Sequence, residues 1–127
     1  MARILGEQHH VLAIQDPVSG SVINLHYRRP TSEERVAYQL SAFRLENGER
    51  RFCLGKTRLK FGLEILTGFG AGDFVITAEG AEVNLDPARH PDWKERLAVE
   101  APDLVSYLAQ QVFEGMRVAP AREQEWD

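Results

Sequence analysis

The strictest alternation of apolar and polar side chains lies in residues 21–28. One face of this segment carries Ile23, Leu25 and Tyr27, and the other carries Asn24, His26 and Arg28. A period of two is typical of a half-buried strand. Residues 11–15 are also rich in aliphatic residues, and Asp-Pro-Val-Ser-Gly at 16–20 supplies the backbone angles that a chain reversal needs. The pattern predicts an N-terminal β-hairpin.

A helix is predicted directly after this hairpin. Thr31 and Glu34 have the spacing of a capping box, in which each side chain bonds the backbone N–H of the other. The helix should continue to about Leu45 and stop at Asn47-Gly48. Its apolar stripe is predicted to consist of Val36, Leu40 and Phe43.

A second helix is predicted from about Phe52 to Thr67. Leu59, Leu63 and Leu66 recur there at three- and four-residue spacing. Gly55 and Gly62 each weaken this helix by about 1 kcal/mol relative to alanine, unless close helix packing uses them. Gly68 is the expected terminator, and the glycine-rich residues 68–73 should form a flexible connector.

The C-terminal half predicts a short hairpin near 74–85, reversing at 78–81, and then helices at about 92–99 and 102–114. Pro102 should divide these helices, because an interior proline breaks the backbone ladder. One apolar stripe runs along both helices: Trp93, Leu97, Leu104, Leu108 and Val112. This stripe either forms the core or docks on partner helices or on another copy of the chain.

These elements predict an α+β fold, in which an N-terminal hairpin, with a second short hairpin, packs against three or four helices. With 127 residues, 43% hydrophobic and 27% charged, the chain suits one globular domain, which we place at 1–115. The polar residues 116–127 are expected to form a flexible tail. The longest aliphatic run, residues 11–14, is too short to span a membrane, and no secretory signal is predicted. The single cysteine, Cys53, cannot form an internal disulfide, which favours a cytoplasmic location.

Charge is divided unevenly along the chain. The net charge is −4, but residues 1–64 carry +3 and residues 65–127 carry −7. The basic residues of the 28–60 region are candidate partner-binding groups: Arg28, Arg29, Arg50, Arg51, Lys56, Arg58 and Lys60. They would serve a nucleic-acid-binding protein, although such proteins are more usually basic overall.

No motif in the chain predicts catalysis, a cofactor or a metal. Gly55-Lys56-Thr57 resembles the end of a phosphate-binding loop, but Arg50 occupies the position where that loop needs glycine. His9 and His10 are adjacent and point to opposite faces of a strand, so only one of them could face His26 across the hairpin. No cysteine or carboxylate is spaced to complete a tetrahedral set with that pair. We therefore expect a protein that is not an enzyme.

Two segments carry a resemblance to a known family. Residues 27–35, Tyr-Arg-Arg-Pro-Thr-Ser-Glu-Glu-Arg, and residues 58–69, Arg-Leu-Lys-Phe-Gly-Leu-Glu-Ile-Leu-Thr-Gly-Phe, resemble small phage and prophage tail assembly chaperones. Gly-Asp-Phe at 72–74 follows the second segment, and closing helices that end in Val-Phe-Glu-Gly at 112–115 complete a similar layout. The resemblance covers most of 11–115 and implies a mainly helical, cytoplasmic protein without catalytic residues. Its implied partner is the long tape-measure protein, which such chaperones coat until the tail tube forms, and self-association is also implied. A minor tail or head–tail structural protein is the alternative.

Overall fold

The computed structural model describes residues 2–46, 49–52, 54–116 and 119, with the backbone alone at 43–46 and 49–52. The described strands are β1 (His10–Gln15), β2 (Val22–Tyr27), β3 (Phe43–Glu46), β4 (Glu49–Phe52), β5 (Leu66–Phe69), β6 (Val75–Ala78) and β7 (Ala81–Asn84). The described helices are α1 (Ser32–Ala42), α2 (Leu54–Ile65), α3 (Trp93–Glu100) and α4 (Pro102–Glu114). The predicted α+β class is confirmed.

The N-terminal hairpin forms as its alternation predicts. Strands β1 and β2 pair antiparallel, with Ile14 opposite Ile23, and both Ile23 and Leu25 are buried. The Asp16 carboxylate accepts hydrogen bonds from the Ser19 hydroxyl and from the Val18 backbone, which lowers the pKa of Asp16. These bonds hold the reversal between the two strands.

The second half of the chain also follows its local signals. Strands β6 and β7 form the predicted hairpin, and Glu79 and Gly80 both have positive φ at its turn. Helices α3 and α4 meet at Ala101, and Pro102 stands in the first turn of α4. The predicted division at Pro102 is confirmed.

The predicted end of the second helix is wrong. Helix α2 stops at Ile65, and Leu66 is the first residue of β5, which pairs antiparallel with β2. Gly68 lies within this strand opposite His26, so it does not terminate a helix. The predicted connector therefore begins as a strand, and Asp73 is fixed because its carboxylate accepts the Asn24 N–H at 2.8 Å. The free edge of β2 supplies backbone partners that local helical propensity does not reveal.

The predicted end and the predicted stripe of the first helix are also wrong. Helix α1 ends at Ala42, and β3 pairs with β4, which includes Phe52, the predicted start of the next helix. Val36 is 57% exposed and Leu40 is 71% exposed, whereas Tyr38 on the opposite side is buried. The Tyr38 side of α1 is the buried one because the Tyr38 ring stacks on the Phe113 ring of α4, with centroids 4.3 Å apart. The predicted stop at 47–48 and the Phe43 side chain lie outside the described residues.

The main core lies between the three-stranded sheet and helices α2, α3 and α4. Its fully buried side chains include Leu25, Ile65, Val105 and Leu108. Helices α2 and α4 cross at Gly62, where an added Cβ would lie 2.4 Å from the Val105 carbonyl oxygen. This glycine is therefore used for close helix packing. No helix in the described part of the chain combines the length and the apolar character that a membrane span requires.

Candidate functional site

A groove open to solvent, with a volume of about 1030 Å³, is the candidate site. Four segments form its walls: the N-terminal residues, the open end of the β1–β2 hairpin, the entrance of α1 and the end of α4. We call it the N-terminal groove, and its lining residues are Ala2, Arg3, Ile4, Glu7, Gln8, His10, Leu12, Tyr27, Arg29, Pro30, Thr31, Arg35, Gln111, Val112, Gly115 and Met116. Apolar and charged side chains are mixed along it.

The entrance of α1 forms one wall of this groove. The predicted capping box is confirmed, because the Thr31 N–H donates to Glu34 Oε1 at 2.9 Å and the Glu34 N–H donates to Thr31 Oγ1 at 3.1 Å. The Arg28 guanidinium also donates to both carboxylate oxygens of Glu34, at 2.7 and 2.9 Å. These bonds fix the end of β2 relative to the start of α1.

The ion pair of Arg28 with Glu34 shifts the pKa of both groups. The Arg28 guanidinium, helped by the Thr31 backbone, lowers the pKa of Glu34 to about 2, and Glu34 raises the pKa of Arg28. Glu34 therefore neutralises Arg28 across the whole physiological range. Arg28 does not line the groove and serves to position its wall.

Three arginines line the groove: Arg3, Arg29 and Arg35. Arg29 Nε is buried, and among the described residues it has no hydrogen-bond partner. The Arg35 guanidinium lies 6.0 Å from the centre of the Phe113 ring, within reach of a cation–π interaction. Glu7 alone is acidic among the described lining residues. The groove is therefore locally positive on an acidic protein.

The acid stability of the fold should depend on Glu34. A carboxyl group with a lowered pKa in the folded state contributes stability above its unfolded pKa, and that contribution is lost as the pH falls through the folded pKa. We expect Glu34→Gln to lower the free energy of unfolding by about 1–2 kcal/mol at pH 7, a modest value because Arg28 is partly exposed to water. In urea titrations, the difference from wild type should shrink as the pH is lowered from about 4.5 towards 2.

The matched control is Glu33→Gln, because Glu33 is exposed on the same turn and makes no side-chain hydrogen bond among the described residues. A difference between Glu34→Gln and wild type that stayed constant from pH 7 to pH 2 would contradict the ion-pair account.

The predicted basic candidates do not form one patch. Arg29 lines the groove and Arg28 is paired behind it. Lys56 and Lys60 are exposed on α2, and Arg58 on the same helix is bound to a carboxylate of α4. The side chains of Arg50 and Arg51 lie outside the described residues. The nucleic-acid alternative gains no support from this placement.

The partner of Arg58 is Glu114, in a cluster that the sequence did not predict. Arg58 donates to the Glu114 carboxylate at 2.6 and 2.9 Å, and the buried Tyr38 hydroxyl donates to the same carboxylate. Arg58 lowers the pKa of Glu114, while burial, followed by the nearby carboxylate, raises the pKa of Tyr38. The cluster joins α1, α2 and α4, and no short sequence spacing could have revealed it.

The C-terminal apolar stripe belongs mainly to the core. Leu97, Leu104 and Leu108 are buried, so their prediction as partner-binding residues is corrected: the sheet and α2 already cover them. Trp93 is partly buried and packs edge-on against Phe69, with ring centroids 5.6 Å apart. Val112 is the stripe residue that reaches the N-terminal groove.

The histidines of the hairpin pair with other rings. His9 lies edge-on to His26 with centroids 5.1 Å apart, and His10 stacks on Tyr27 at 5.4 Å. Within the described ranges, no group of three or more histidine, cysteine or carboxylate side chains could hold a metal ion. Cys53 lies outside those ranges.

Sequence reasoning missed Arg3, His10 and Arg35 as members of one site. The capping box was a usable signal, since it fixes the start of α1 and places Arg35 one turn inside the helix. Arg3 and His10 carried no such signal, because their approach depends on how the N-terminal segment returns to the end of α4.

No family model, curated protein or solved structure matches this chain.

Proposed function

We propose that this chain is a non-enzymatic assembly factor that holds another polypeptide, as a tail assembly chaperone of a phage or prophage holds its tape-measure protein. In this proposal it acts in the cytoplasm of the bacterial host and uses no cofactor. Its chemistry is reversible binding through side-chain surfaces.

One observation carries the proposal: the segment that resembles tail chaperones also forms a wall of the N-terminal groove. Within residues 27–35, the lining side chains are Tyr27, Arg29, Pro30, Thr31 and Arg35. The ion pair of Arg28 with Glu34, which belongs to the same segment, fixes the geometry of that wall. A single segment thus supplies both the family likeness and the surface that could bind a client.

The exposed side of α1 adds a second surface. Val36 and Leu40 lie one helical turn apart, and both are more than half exposed. Aliphatic side chains at this i, i+4 spacing can anchor a helix on an apolar surface of a partner. Arg35, which lines the groove, is the residue next to Val36. A long client could contact both surfaces through several weak contacts.

Co-expression tests the proposal. We expect the longest coiled-coil open reading frame among the neighbouring genes to stay soluble and to co-purify with the chain. The double variant Val36→Ser, Leu40→Ser should retain the wild-type melting temperature within a few degrees but bind this client about tenfold more weakly, since it loses exposed apolar area only.

Val99→Ser is the matched control, because Val99 is 79% exposed on α3, in a different element. This variant should capture the client as wild type does. Insoluble client in the presence of wild-type chain, or equal capture by all three proteins, would contradict the proposal.

A further inference from the structure

We propose that the N-terminal groove binds an acidic, leucine-containing stretch of the partner polypeptide, whose carboxylates pair with Arg29 and Arg35. This inference rests on the proposed function and specifies the chemistry by which the client is recognised.

The first support is the unbalanced charge of the lining. Arg3, Arg29 and Arg35 face a single acidic lining residue, Glu7. Arg28, by contrast, is already satisfied by both oxygens of Glu34. Arg28 is therefore neutralised by Glu34, whereas the arginines that line the groove remain available to bind an anionic ligand.

The second support is the environment of Arg29. Its Nε is shielded from water and lacks a hydrogen-bond partner among the described residues. The Arg29 side chain also lines the groove, and none of the ion pairs among the described residues includes it, so its charge is available to a carboxylate in the groove. Arg35 is held near the ring of Phe113, which keeps its charge close to the groove without neutralising it.

The third support is the mixture of apolar surface with these cations. Leu12, Tyr27, Pro30 and Val112 line the same groove. A simple anion would use the arginines and leave this surface uncovered, whereas a peptide with alternating acidic and aliphatic residues would use both.

A polypeptide is favoured over a nucleic acid by the remaining charge. The chain has a net charge of −4, which opposes the approach of a polyphosphate. The net negative charge of the chain repels a peptide with a few carboxylates less than it repels a polyphosphate. The carboxylates of such a peptide can still form bidentate pairs with arginine.

Fluorescence anisotropy with a defined probe tests the inference. The probe is a labelled twelve-residue peptide of alternating glutamate and leucine, titrated with the full chain at low salt. We expect saturable binding that weakens as salt is added. A peptide with glutamine in place of glutamate keeps the leucines without the charge, and it should bind at least tenfold more weakly.

Two double variants with equal loss of charge separate the groove from general electrostatics. Arg29→Gln, Arg35→Gln should weaken binding of the glutamate peptide at least tenfold. Arg89→Gln, Arg96→Gln, which lies outside the groove, should leave binding within twofold of wild type. Arg3→Gln, in an exposed N-terminal position, is a second groove variant if the first double variant melts early, and it should weaken binding severalfold.

Several results would overturn the inference: no binding by wild type, equal losses in the two double variants, or equally tight binding of duplex DNA through the same arginines. Binding that appears only after removal of residues 117–127 would make the chain's own tail the occupant. Binding that appears only on dilution of a self-associated chain would make it a second copy. Client capture without binding of the glutamate peptide would contradict this inference alone, and peptide binding without client capture would contradict the proposed function alone.

Discussion

Replacement of Leu108 by aspartate is expected to abolish cooperative folding. Leu108 is fully buried in the apolar cluster of the sheet and the helices, so the new carboxylate would be removed from water and placed among apolar side chains. Such a substitution costs roughly 4 kcal/mol or more, a large part of the ~5–15 kcal/mol by which a domain of this size is stable. Circular dichroism during heating should show no sharp transition, and Leu108→Ala should retain one at a lower temperature, after a loss of about 2–5 kcal/mol.

Tyr107→Asp provides the matched control on the same helix. Tyr107 is 43% exposed, so its replacement should change the free energy of unfolding by about 1 kcal/mol or less. If Leu108→Asp melted like wild type while Tyr107→Asp unfolded, the buried face of α4 would be the opposite one.

Replacement of Gly62 by alanine is expected to have the second largest effect. The added Cβ would lie 2.4 Å from the carbonyl oxygen of Val105 and 2.9 Å from its Cγ1. The carbonyl belongs to helix α4 and cannot rotate away, so the two helices must separate. Overpacking of this kind costs about 1–3 kcal/mol, which should lower the melting temperature by roughly 4 °C for each kcal/mol.

Gly55→Ala is the control for this prediction. Gly55 lies in the same helix, and an added Cβ there would meet no heavy atom within 4 Å. Alanine at this exposed position should leave stability unchanged or raise it by up to about 1 kcal/mol. Equal effects at Gly55 and Gly62 would show that helix propensity, and not the contact with Val105, governs the result.

The parts of the fold that the sequence predicted are those with local signals. The reversal at 16–20, the capping box of Thr31 with Glu34, and the break at Pro102 each depend on residues within a few positions of one another. The structure confirms all three. Their energies are set by nearby backbone groups, so the order of residues along the chain is sufficient to predict them.

The predictions that were wrong concern elements whose packing partners lie far away in the sequence. Strand β5 exists because the edge of β2 lies beside it, and the face of α1 is chosen by contacts of Tyr38 with α4. Val36 and Leu40 have the spacing of a core stripe, but Tyr38 buries a larger surface and finds a hydrogen-bond acceptor in Glu114. Tertiary packing determines which of the two faces of α1 is buried, and the periodicity of one segment carries no information about that packing.

The candidate site was predicted only in part. Arg29 was singled out for its charge and lies in the groove, and Val112 was singled out as part of a stripe that is otherwise core. Arg3 and Arg35 were not singled out, because the groove brings together segments from both ends of the chain. Charge density along the sequence singled out Arg29, but it does not show which side chains share a surface.

Hydrogen–deuterium exchange tests most directly whether the N-terminal groove is the client-binding surface. The chain would be compared alone and in its purified complex with the co-expressed coiled-coil protein. Residues 2–10 and 28–36 should exchange more slowly in the complex, while α3 at 93–100, which contributes no residue to the groove lining, should exchange at its original rate. Slower exchange confined to α3 or to the β6–β7 hairpin, with the groove segments unchanged, would contradict this assignment.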